Sequence, residues 1–134
     1  MAGMIKFEVV TPDKSVVNEN AQIVVAPGSM GEFGILSGHT PFLSTLKTGA
    51  IRYTDENGKE RFVFVSGGFA EALPDKVTIL AESAERKSDI DKERAEGAMK
   101  RAQERLEKAK RDNTDIIRAE AALQRAIWRL KLLS

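Results

Sequence analysis

Apolar and polar residues alternate through Ile5-Lys6-Phe7-Glu8-Val9, the two-residue period of a half-buried strand, and Thr11-Pro12-Asp13 supplies a turn after it. A second apolar run, Ala21 to Ala26, stops at Pro27-Gly28-Ser29. Ala50 to Tyr53 faces Arg61 to Val65 across Asp55-Glu56-Asn57-Gly58, and an Asn-Gly step in that setting predicts a hairpin. Gly67-Gly68 and Pro74-Asp75 bound two further runs, Phe69 to Leu73 and Lys76 to Ala81. Short strands at this spacing predict an antiparallel β-sandwich or flattened barrel over residues 5–86.

Beyond Ala84 the period changes to that of helices, in a stretch of alanine, glutamate, lysine and arginine without proline. Ala95, Ala98, Ala102, Leu106 and Ala109 recur at spacings of three and four in a helix expected from a cap at Ser88 or Asp89 to about Arg111. Asp112-Asn113-Thr114-Asp115 is expected to supply a turn and a second cap. A second helix to about Leu133 carries Ile116, Ala119, Leu123, Ala126, Leu130 and Leu133 as a coiled-coil seam. Two seams of matching length joined by four residues predict an antiparallel hairpin, so the fold class is α+β, with domains at 1–86 and 87–134. Alanine buries little surface per residue, which makes the hairpin weakly held; that weakness fits static packing against the sandwich as well as opening, and periodicity alone favours the static reading.

Charge follows the same division: residues 1–86 hold 8 Lys/Arg against 11 Asp/Glu, and residues 87–134 hold 13 against 9. The basic second half favours anionic partners. No apolar run approaches the roughly 20 residues of a membrane helix, and Met1 to Met4 lead straight into a strand, which predicts an intracellular product. Absent cysteines and a single histidine, His39, leave no basis for thiolate or zinc chemistry or a cysteine nucleophile. Gly28, Gly31 and Gly34 precede no Gly-Lys-Ser/Thr and are expected to serve turns rather than a phosphate loop. A nucleic-acid binder built on Lys100, Arg101, Arg105, Lys108, Lys110 and Arg111 is disfavoured, because Glu104 and Glu107 interrupt the charges and aromatic platforms are missing.

Gly31-Glu32-Phe33-Gly34-Ile35-Leu36-Ser37-Gly38-His39-Thr40-Pro41 resembles the signature loop of epsilon subunits of bacterial F-type ATP synthases. Phe64-Val65-Ser66-Gly67-Gly68-Phe69 resembles their second signature, and Val77 to Ala81 followed by Ser88-Asp89-Ile90-Asp91 resembles their passage from sandwich to helices. Ser37 stands where many relatives have proline, a change that loosens the loop but leaves Gly38 to Pro41 intact. The resemblance implies a non-catalytic rotor subunit that needs no cofactor and lies at the cytoplasmic face of the bacterial cell membrane. Its sandwich would join the gamma subunit to the ring of membrane-embedded subunits, with Glu32 near the ring and His39 near gamma. Its hairpin would fold on the sandwich or extend into the alpha/beta catalytic head, where it restrains ATP hydrolysis.

Ile90-Asp91-Lys92-Glu93-Arg94-Ala95 further resembles the Ile/Leu-Asp-x-x-Arg-Ala motif of epsilon subunits that bind ATP. That likeness implies a regulatory ATP held by Ile90, Asp91, Arg94, Arg101, Arg125 and Arg129, with Glu85 near the adenine. At helical spacing Asp91 and Arg94 would share a face, and Arg125 and Arg129 stand one turn apart. The alternative reading is a stand-alone ATP-binding or helical-hairpin adaptor protein.

Overall fold

A computed structural model describes residues 3–134. Contacts divide the chain between Lys87 and Ser88 into two compact units. Nine strands make up the first unit: β1 (Ile5–Val10), β2 (Ser15–Gly28), β3 (Gly31–Leu36), β4 (Phe42–Leu46), β5 (Gly49–Asp55), β6 (Glu60–Val65), β7 (Gly68–Leu73), β8 (Lys76–Ala81) and β9 (Ala84–Arg86). The 14-residue β2 belongs to both layers of the sandwich. Its first half pairs with β1, which continues through β8 and β7 to β4. Its second half lies between β3 and β5, and β6 and β9 extend that layer. A single pairing, Gly28 with Leu46, returns β4 to β2 and closes the first layer into a flattened barrel.

Every pairing is antiparallel except β1 with β8. β3, β4, β9 and the first half of β2 are strands that the apolar pattern alone did not outline. Gly34 lies within β3 rather than in a turn, and of the three glycines in that stretch only Gly31 has positive φ.

Alternate residues fill the space between the layers: Ile5, Phe7, Val24, Ile35, Ile51, Val63 and Ile79 are completely buried. Phe7 meets Tyr53 at 4.8 Å between ring centroids. Tyr53 also anchors the end of the unit, because Arg86 Nη1 donates to its hydroxyl at 3.1 Å while Arg86 Nε donates to the Val16 carbonyl at 3.0 Å. Burial, more than any other influence, pushes the Tyr53 pKa up to about 12, so its hydroxyl stays neutral over the ordinary pH range.

The second unit holds α1 (Lys92–Asp112) and α2 (Ile116–Leu133), packed on each other. The cap of α1 is Asp91, whose carboxylate accepts from the Arg94 backbone N–H at 3.0 Å. Ser88 and Asp89, the expected caps, lie instead in the 3₁₀ turn Lys87–Asp89, three and two residues ahead of the cap position and too early to reach the first free N–H groups of the helix. At the tip Asn113 ends α1 in the left-handed conformation, with φ 53°. Asp115 precedes α2 at φ 46° but makes no side-chain cap, so the turn provides one cap residue fewer than its composition promised. Between the helices the buried positions are alanines: Ala95, Ala102 and Ala109 of α1, Ala119 and Ala126 of α2.

Candidate functional site

Two surfaces stand out, one on each unit. On the first, the outer face of β4, β7 and β8 carries four large apolar side chains among Thr45, Glu71, Lys76 and Thr78, where a solvated sheet face is ordinarily polar. Leu43, Phe69, Leu73 and Leu80 are all exposed there, and cross-strand register puts Phe69 opposite both Thr45 and Leu80. Val10, Pro12, Leu46, Phe69 and Leu80 contribute to a groove of about 600 Å³ at the end of this face. Its floor depends on Gly68: with φ at 122°, a side chain there would put its first carbon 2.0 Å from the Leu80 carbonyl oxygen.

Glu32 and His39 belong to the same unit but not to one site. Glu32 is exposed on β3, beside the fully exposed Met30 at the tip of the β2–β3 hairpin. His39 lies past the other end of β3, half-buried, its ring 4.9 Å from that of Phe42. The six residues of β3 rise about 3.3 Å each, which separates the two side chains by nearly the length of the strand. Glu85 is in β9, opposite Phe64 of β6.

On the second unit, α1 and α2 enclose a cleft of about 390 Å³. Four alanines form its walls, Ala98 and Ala102 facing Ala122 and Ala126, and four arginines rim it, Arg101 and Arg105 from α1, Arg125 and Arg129 from α2. Each arginine pair is spaced by one helical turn, and no carboxylate lines the cleft. The small walls let the guanidinium stems converge, and the result is a dense array of planar N–H donors suited to a polyanion.

Of the predicted residues, Arg101, Arg125 and Arg129 come together here. Arg94 is exposed and does not line the cleft, and Asp91 meets it through the backbone cap rather than through the guanidinium. Ile90 is buried just ahead of the cap. Arg105 is the residue that the motif missed, although its spacing from Arg101 repeats that of Arg125 and Arg129 and was readable as a shared face. Among the described residues no group of acidic or histidine side chains is arranged to hold a metal ion. No helix among them is long and apolar enough to cross a membrane.

Comparison with known proteins agrees with this division. The model of the ATP synthase delta/epsilon chain β-sandwich domain matches residues 4–87, and that of the long α-helix domain of the same chains matches residues 88–134. An ATP synthase epsilon chain of Desulforapulum autotrophicum is 60% identical over 133 residues, covering 99% of this chain and 98% of the relative. The epsilon chain of Bacillus velezensis is 49% identical over 126 residues, 94% of each. Among solved structures, a chain of the Euglena gracilis mitochondrial ATP synthase, determined by cryo-electron microscopy with its c-ring, superposes with a TM-score of 0.82 at 23% identity. It covers all of this chain and 84% of its own length, and it shows the same fold. Matched along essentially its whole length in both units, the chain belongs to the ATP synthase delta/epsilon chain family, with the epsilon chains of bacterial F-type ATP synthases as its relatives.

Proposed function

We propose that this chain works as a non-catalytic part of the central rotor, fastened by its sandwich and regulated through its hairpin. The gamma subunit is assigned to the apolar face of β4, β7 and β8, since Leu43, Phe69 and Leu80 form the kind of exposed apolar core that an obligate partner buries. The β2–β3 tip, with Met30 and Glu32 projecting, is assigned to the ring of membrane-embedded subunits, and His39, at the far end of β3, to the gamma side. In this role the chain turns with gamma and the ring during proton-driven ATP synthesis at the cytoplasmic face of the bacterial membrane.

The regulatory half rests on one observation, the four arginines rimming a cleft that no carboxylate lines. Packed hairpin and cleft exist together, so a polyphosphate bound there offsets the mutual repulsion of the guanidinium groups and holds the helices closed. Regulatory ATP is the ligand assigned to the cleft, with Arg101, Arg125 and Arg129 as phosphate donors. Asp91 and Arg94 contribute by ordering the first turn of α1, and buried Ile90 fixes the chain ahead of it. When ATP leaves, the alanine seam is too weak to keep the hairpin closed against the pull of the alpha/beta head, and the extended helices restrain hydrolysis. ATP acts as an effector and is not hydrolysed.

Isothermal calorimetry tests this reading. The wild-type chain is expected to give a saturable ATP heat, and Arg125→Ala to bind about tenfold more weakly or worse, the loss of one charge-assisted contact. No ATP heat at millimolar concentration would refute the regulatory assignment.

A further inference from the structure

A glycine inside a helix is less stabilising than alanine, so a helix that carries one away from its ends invites a reason. Gly97 lies in the second turn of α1, within a run otherwise composed of good helix formers. Its backbone does not require glycine, because it is absent from the positions of positive φ among the described residues. Close helix packing does not require it either. A carbon built at its side-chain position would meet no atom of α2 within 4 Å. The one group it would meet is the guanidinium of Arg101, with Nη1 at 3.2 Å.

Side chains on a helix lean toward its N-terminus, which brings the Arg101 guanidinium back over the residue one turn earlier. That residue is Gly97, and the bare backbone there lets the guanidinium lie close against the helix at the rim of the cleft. Arg101 is otherwise an exposed side chain at the cleft rim, with several rotatable bonds to lose on binding.

We infer that Gly97 is a positioning residue for the polyphosphate cleft: it seats the Arg101 guanidinium at the rim in advance of the ligand. The inference rests on the assignment of ATP to this cleft and adds to it a residue that contacts neither phosphate nor base. The helix gives up stability at Gly97, and the cleft gains a preorganised donor. A methyl at position 97 would meet Nη1 at 3.2 Å and make it give by a few tenths of an ångström, which changes how the guanidinium is seated at the rim.

The test is Gly97→Ala in the full chain, read in three ways. Melting is expected to rise by about 2–4 °C, since alanine is the better helix former. In ATP-free protein the Arg101 Nε–Hε resonance is expected to shift while those of Arg125 and Arg129 hold their positions. Calorimetry is expected to show ATP binding about three- to tenfold weaker than wild type, so affinity and stability move in opposite directions. The inference is overturned if wild type binds ATP and Gly97→Ala binds it equally well, or if the Arg101 resonance does not move, and the ATP assignment then stands. A variant that melts lower than wild type also overturns it, by showing that the glycine serves the backbone. Absence of ATP binding by wild type removes the ATP assignment and the inference together.

Discussion

Replacing Ala126 by leucine should open the hairpin without harming the sandwich. Ala126 is 1% exposed and faces α1 across the alanine seam, where it also forms part of the cleft wall. The seam itself holds the helices weakly. Its five buried alanine methyls, at about 0.8 kcal/mol each, contribute about 4 kcal/mol before any ordering cost, beside what the half-buried Leu106, Leu123 and Leu130 add. Leucine adds three carbons at a position only 1% exposed, where α1 packs against α2, and overpacking of that kind costs about 1–3 kcal/mol. The loss is a large share of the alanine contribution, and it shifts the closed-to-open ratio about 5- to 150-fold. Ala121→Leu is the control, because Ala121 is exposed on the same helix and leucine has nearly the same helix propensity. Hydrogen exchange measured on the α2 amides reads the opening directly. Faster exchange is expected in the Ala126 variant alone, and equal protection in both variants would refute the claim that close alanine packing holds the hairpin.

Gly68→Ala should cost about 3–5 kcal/mol in urea unfolding, because its methyl would meet the Leu80 carbonyl oxygen at 2.0 Å with φ at 122°. Gly31→Ala, at φ 133° with nothing within 4 Å, should cost only the backbone strain of about 1–3 kcal/mol. Leu80→Asp on the exposed apolar face should leave melting nearly unchanged yet weaken binding to the gamma subunit about tenfold or more, measured by co-purification and titration. Asp55 predicts an acid limb. Its carboxylate accepts from Arg61 Nε at 2.8 Å and from the Asn57 and Lys59 N–H groups at 2.9 Å each, and the Arg61 contact first of all holds its pKa below the usual range. A depressed folded-state pKa contributes stability above the unfolded value of about 3.9, and that contribution is lost as pH falls through the lower folded value. Asp55→Asn should therefore flatten the fall in melting temperature below pH 4 that wild type shows.

Strands whose two faces meet core and water were legible residue by residue. Buried Ile5, Phe7, Val77 and Ile79 are odd-numbered members of β1 and β8 and alternate with polar neighbours, apart from Val10 and the exposed Leu80 near the strand ends. β3 and β4 were hidden because their hydrogen bonds, not their side chains, make them strands. Gly31-Glu32-Phe33-Gly34 has little apolar content, yet each residue pairs with β2. The parallel pairing of β1 with β8 joins segments about 70 residues apart, beyond the reach of any local pattern. In the hairpin, periodicity placed both helices to within a few residues, and the choice of cap went to Asp91 because only a residue three before Arg94 can reach its N–H. Arg101, Arg125 and Arg129 were readable from the motif likeness. Arg105 and Gly97 needed the second helix and the side-chain positions, since a cleft belongs to two segments and a seat to a particular rotamer.

Reconstitution with and without the hairpin tests the account most directly. The sandwich has a complete core of its own, so a chain ending at Lys87 should fold and join a complex of alpha, beta and gamma subunits as fully as the whole chain does. Hydrolysis by the complex carrying the whole chain should be restrained at low ATP and released as ATP rises. With the shortened chain, hydrolysis should be unrestrained at every ATP concentration once turnover is corrected for substrate. A shortened chain that folds but fails to assemble, or that restrains hydrolysis as strongly as the whole chain, would contradict the division of labour between sandwich and hairpin.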